Sequence, residues 1–177
     1  MMRYMAGILL VLVMVFTVGA QSGQDDGDGT PERAIYDLLV TGDRIFEVEM
    51  WDIAATDTRS RSAVTWTSAD LGAVARLEHL VFPDGITDEA LEPFLDFDFI
   101  LSNYDAYILN ITCREGDLDL YEFDVDDEGG KYVVRYWVTE ESDTEASIMF
   151  MAFPTSEQAE LDRYAVRYNE RTWRCKQ

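Results

Sequence analysis

From Tyr121 to Val138, apolar and polar residues alternate on either side of Glu128-Gly129-Gly130. This pattern constrains the fold more than any other feature of the chain. A period of two is the signature of a half-buried strand, and the glycine pair between two β-rich runs marks where the chain turns back. A turn centred on Gly129-Gly130 pairs Val125 with Val134, Phe123 with Tyr136 and Tyr121 with Val138. The same register sets Asp124 opposite Arg135 and Glu128 opposite Lys131, both opposite-charge pairs. Sliding the turn by one residue moves the partners by two and leaves the faces unchanged. In either register Tyr121, Phe123, Val125, Tyr132, Val134, Tyr136 and Val138 share one face, and Glu122, Asp124 and Arg135 lie on the other.

Upstream, Arg114-Glu115-Gly116 suits a three-residue hairpin loop with glycine in its left-handed position. That loop pairs Cys113 with Asp117 and places Tyr107, Leu109 and Ile111 beside Tyr121 and Phe123. A two-residue loop would set Leu109 against Glu122, so the three-residue reading is preferred. Downstream, Ser147 to Phe153 is apolar on both faces and reads as a central strand. Thr155 and Gln158, after Pro154, fit a capping box that starts a helix with a buried stripe of Leu161, Tyr164, Ala165 and Tyr168. Cys175 lies in phase with that stripe and Cys113 lies on the apolar sheet face. A helix laid across the aromatic Tyr121–Phe123 face and tied there by a Cys113–Cys175 disulfide accounts for both positions.

The first half is less regular. Thr30-Pro31-Glu32 opens a helix whose Ala34, Leu38 and Leu39 run on to Gly42. Residues 44–55 and 63–68 read as strands broken by polar 56–62, 76–82 as another strand, and Thr87-Asp88-Glu89 starts a short helix to about Leu95. The expected fold is α+β: an antiparallel β-meander with N- and C-terminal helices, the C-terminal helix packed on the aromatic sheet face.

The N-terminus carries Arg3, an apolar stretch from Met5 to Phe16 and small residues up to Ala20, the pattern of a cleaved export signal. Its alternative is an uncleaved anchor, for which the apolar run is short against the ~20 residues of a spanning helix. Domain organisation is therefore a signal peptide over 1–20, a flexible acidic linker over 21–30 and one α+β domain over 31–177. The expected location is secreted or extracytoplasmic. In an oxidising compartment two cysteines make one disulfide, here closing about 62 residues and contributing roughly 4 kcal/mol through the unfolded chain. Asn110-Ile111-Thr112 matches an N-glycosylation sequon.

Composition excludes some functions. The whole chain has 35 acidic against 14 basic residues, a net charge of −21, and 47% apolar residues. The apolar share supports a core, and the charge opposes nucleic-acid and anionic-lipid binding. There is no nucleophile elbow, zinc-protease motif, phosphate loop or dinucleotide fingerprint, hence no cofactor signature, and too few ligands for zinc. His79 is the single histidine and could act as a base beside a carboxylate, although its apolar run suits a structural role. Asp96/Asp98, Asp117/Asp119 and Glu122/Asp124 are carboxylate pairs two apart, common in so acidic a chain and suited to solvated faces. Asp124, Asp126, Glu128 and Gly129 match early calcium-loop positions, but Arg135 stands where the loop needs a carboxylate.

Arg163, Arg167 and Arg171 recur every four residues, so something acidic must offset their repulsion. That is either nearby Glu and Asp residues or an acidic partner, including a second copy of this domain. Trp137, beside Arg135 on the polar sheet face, could stack on a sugar or peptide if exposed. Trp137, Arg135, Arg163, Arg167 and Arg171 are therefore the candidate binding surface for a protein, small-molecule or glycan ligand. The function expected is an exported, non-catalytic acidic domain with a binding or cell-exterior role. The alternatives are a carboxylate-based hydrolase, marked by a desolvated carboxylate in a cleft, and a carrier with an enclosed apolar cavity.

Overall fold

The computed structural model describes residues 31–95, 101 and 104–169. The signal, the linker, Asp96/Asp98, Arg171 and Cys175 lie outside these residues. The elements are α1 (Pro31–Ile45), a 3-10 turn (Val48–Met50), β1 (Asp52–Thr58), β2 (Arg61–Ser68), β3 (Ala73–Val81) and α2 (Asp88–Leu95). They continue with β4 (Ala106–Glu115), β5 (Leu118–Asp127), β6 (Gly130–Glu140), β7 (Glu145–Pro154), a 3-10 turn (Thr155–Glu157) and α3 (Gln158–Tyr168). The strands form one antiparallel sheet in the order β1-β2-β3-β7-β6-β5-β4. The α+β meander with helices at both ends is thus the observed architecture. Its central strand is β7, the run expected to be covered on both sides.

Helix α1 continues past Gly42, where the sequence suggested an end. A Cβ at Gly42 would stand 2.0 Å from Cζ2 of Trp66. The glycine is therefore there to let the helix backbone seat on the indole, not to stop the helix. The polar 56–62 segment is not a break but a hairpin end. The Thr58 hydroxyl donates to the Arg61 carbonyl at 2.9 Å and accepts from its N–H at 3.1 Å. All of β1 is exposed, which removes the hydrophobic alternation that would have marked it as a strand.

The β5–β6 hairpin turns one residue earlier than the glycine pair implied. Asp127 pairs with Gly130 and Phe123 with Val134, so Glu122, not Asp124, faces Arg135. The Asp127 carboxylate fixes this turn by accepting the Gly129 N–H at 2.6 Å, while Gly130 takes the positive φ of 128°. The faces are those expected. At β4–β5 the loop is the two-residue Gly116-Asp117, with Gly116 at φ 66°. The clash of Leu109 with Glu122 is avoided by a β-bulge: Leu109 pairs with Phe123, Ile111 with Glu122, and exposed Asn110 is the extra residue.

That bulge reverses side-chain parity along β4. Tyr107 stays with Phe123, whereas Cys113 pairs with Leu120 and joins the opposite face. The opposite face is the one α3 covers. Leu161, Tyr164 and Ala165 pack with Trp66, Trp137, Met149, Met151 and Phe153 in the largest core cluster, which α1 joins through Leu38 and Ile45. The C-terminal helix does lie on an aromatic sheet face, but it is the Trp66–Trp137–Phe153 face and not that of Tyr121 and Phe123. The reason is numerical: Leu118, Leu120, Val133 and Trp137 give this side more apolar surface than Glu122 and Arg135 remove. Cys113 remains under the helix-covered side and is not a free thiol.

The Tyr121–Phe123 face is covered by described residues of the segment between β3 and β4. Phe82 and Phe94 stack edge-on at 6.1 Å, the Tyr136 hydroxyl donates to the Phe94 carbonyl at 2.8 Å, and Leu101 is buried against Phe123 and Val125. Thr87 caps α2, its hydroxyl accepting the Ala90 N–H at 3.1 Å. The expected capping box of α3 is absent. Thr155 instead enters the 3-10 turn and no side chain caps either element.

Candidate functional site

The described part of the candidate surface, Trp137, Arg135, Arg163 and Arg167, does not stand free. Trp137 has no exposure and packs edge-on against Tyr168 at 5.5 Å. Arg135 is 1% exposed, donates from Nε to Glu122 at 2.6 Å and from Nη2 to Asp162 of α3. The alternation placed both on a polar face correctly, but the helix above that face turns them into core. A guanidinium can be buried there because carboxylates from the sheet and the helix both meet it.

Arg163 and Arg167, the described members of the stripe, are compensated within the molecule. Glu47, between α1 and β1, accepts from Arg163 at 2.7 Å, from Arg167 at 2.6 Å and from the Tyr164 hydroxyl at 2.8 Å. Arg163 also donates to Glu160 at 2.8 Å and lies 4.4 Å over the Tyr164 ring, and Arg167 reaches the Ile45 carbonyl at 2.9 Å. Burial alone would raise the Glu47 pKa, but the Arg163, Arg167 and Tyr164 hydrogen bonds outweigh it and bring the group down to about 2. Asp119 likewise serves structure, bridging to exposed Arg114.

The groups left over gather at the other end of the helix-covered face. Direct cross-strand pairs link Thr139 to Ser147, Ser147 to His79, His79 to Ser62 and Ser62 to Asp57. A polar row thus crosses β6, β7, β3, β2 and β1, one step beyond the apolar row Trp137–Met149–Leu77–Val64. Over this row lies a cleft of about 720 Å³, walled by Ala34, Asp37, Leu38 and Thr41 of α1 and flanked by Tyr168 and Asn169. Its rim carries Glu141 and Glu145 on the β6–β7 side and Thr58 and Arg59 at the β1–β2 turn. Ser62 spends its hydroxyl on Asp57 at 2.6 Å. Ser147 is 8% exposed, and among the described residues its hydroxyl has no hydrogen-bond partner.

His79 stands in this row with Nδ1 3.8 Å from Glu141 Oε2, too long for a hydrogen bond. No hydrogen bond joins it to Ser62 or Ser147 among the described residues, so no nucleophile–base pair is assembled. The sequence marked His79 alone. The serines, Thr139 and the two glutamates were missed because each is unremarkable in its own strand, and only the pairing register aligns them.

No family model and no curated protein matches the chain in sequence. Among solved structures it is similar to the human StAR-related lipid transfer protein 5, at a TM-score of 0.27 and 9% identity over 78% of this chain and 92% of that one. A superposition that loose carries no argument about fold or ligand. No described helix is long and apolar enough to cross a membrane.

Proposed function

We propose that the chain is a non-catalytic binding domain that captures a small polar molecule in the cleft between α1 and the sheet, outside the cytoplasm as its N-terminus implies. One observation carries the reading: Ser147, a residue only 8% exposed, presents a hydroxyl without a protein partner among the described residues to a cleft large enough for a small ligand. A ligand that covered this hydroxyl without bonding it would forfeit about 1–3 kcal/mol, so the site favours a molecule that supplies the bond.

The lining favours this reading over an apolar carrier. Thr41, Thr58, Ser62, His79, Thr139, Glu141, Glu145 and Ser147 face the same space as Leu38, Leu77 and Val81. A hydrolase of the carboxylate type needs an acid raised toward neutrality. Glu47, by contrast, is displaced downward and is committed to holding α3. The Cys113–Cys175 bridge belongs to the same proposal, as a covalent tie suited to an oxidising exterior.

His79, as the single histidine, gives an unambiguous reporter on the cleft. Ligand-observed NMR with a panel of small polar fragments is expected to give hits that also shift the His79 ring protons. Hits that leave His79 unmoved, or a panel without hits, would overturn the assignment of the site.

A further inference from the structure

Resting on the cleft reading above, the geometry points to an ammonium-bearing ligand, a small primary amine whose charge sits at the Glu141–Glu145 end. These two residues lie opposite each other where β6 meets β7, with the Glu141 N–H bonded to the Glu145 carbonyl at 2.9 Å. Both follow the parity of Thr139 and Ser147, and both line the cleft. Two carboxylates facing each other on one side of a sheet repel. The nearest cationic candidate on the sheet is His79, at 3.8 Å from Glu141. Glu145 has no ion-pair partner among the described residues.

The buried floor repeats the same preference. The hydroxyls of Ser147 and Thr139 can each accept from an N–H donor just below the glutamate pair. The Arg61 guanidinium is turned to the other face of the sheet, where it makes a double contact with Glu78 at 2.7 and 2.8 Å and lies over Phe94. Arg59 lines the cleft at its β1–β2 rim, two strands away from β7 and Glu145. The chain's net charge of −21 adds a field that draws small cations toward any acidic concavity. An ammonium group supplies three donors, which suits two carboxylates and one hydroxyl.

The test is calorimetric titration of the folded, exported chain with putrescine, 1,4-butanediol and succinate, following the His79 ring protons in parallel. Putrescine is expected to bind saturably and shift His79, and its affinity to fall as salt rises. Glu145→Gln and Ser147→Ala, each checked for unchanged thermal unfolding, are expected to weaken it about tenfold and a few-fold respectively. Butanediol or succinate binding at His79 as tightly as putrescine would overturn the amine assignment and leave the cleft standing. Silence from all three probes while neutral fragments still shift His79 would do the same. If neither the probes nor the fragment panel shift His79, the cleft reading falls with it.

Discussion

The same sheet face is finished in two different ways. Under α3, Arg135, the buried cation among the described residues, meets a carboxylate from the sheet and another from the helix. Under the N-terminal half of α1, one row further along the strands, the Ser147 hydroxyl stands open to a cleft and two carboxylates face each other. Both regions lie on one face of the same sheet. What differs is how the polar side chains of the covering helix are used. α3 sends Asp162, Arg163, Tyr164 and Arg167 to partners on the sheet and beside it, whereas α1 walls the cleft with Ala34, Asp37, Leu38 and Thr41, the Thr41 hydroxyl donating to the Asp37 carbonyl at 3.0 Å.

Breaking the closed region should be far more damaging than altering the open one. Arg135→Ala strands Glu122 in the core without its cation, and equilibrium unfolding is expected to lose about 3–5 kcal/mol. Gly42→Ala comes next. Helix propensity alone would add up to about 1 kcal/mol of stability, but the clash with Trp66 is expected to reverse the sign, for a net loss of about 1–3 kcal/mol. A stabilised Gly42→Ala protein would refute the close approach of α1 to the indole.

Glu47→Gln is a smaller change. Its partners are more than a third exposed, so solvent screening reduces the loss to about 1–2 kcal/mol near neutrality. The folded-state pKa lies below the unfolded value, so this contribution is present above about 4.5 and is lost as pH falls toward about 2. Acid titrations of the wild type and the Gln variant should converge across that interval. Parallel curves would remove Glu47 from the account of how α3 is held.

The smallest stability effect belongs to the cleft. Ser147→Ala removes a hydroxyl that the folded chain does not satisfy, so stability is expected to stay within about 0.5 kcal/mol or to rise slightly. A loss comparable to that of Arg135→Ala would show that Ser147 is bonded inside the protein and would merge the two regions into one.

Much of the sheet was legible in the residues themselves. The faces of β5 and β6 followed from alternation alone, and the apolar run 147–153 announced its central position. The hairpin register missed by two because Gly129-Gly130 advertised the turn, while the Asp127 carboxylate, invisible to periodicity, fixed it one residue earlier. The candidate surface failed for a related reason. Trp137 and Arg135 were assigned to the right side of the strand, but a side is exposed or buried only by what lies above it. Of the cleft, only His79 carried a signal, because its neighbours come from strands up to about 85 residues apart in sequence.

The chain by itself determined which residues share a strand face, since side chains alternate with a period of two whatever the surroundings. It also determined that a terminal helix must bury Leu161, Tyr164 and Ala165, since exposing that stripe to water would forfeit its hydrophobic stabilisation. Only the tertiary structure decided which face the helix took. One extra residue at Asn110 reverses the parity of β4, and the balance of apolar area between two sheet faces is a sum over all seven strands. The cleft is the remainder of that choice: the strip of the chosen face over which α1 leaves open space.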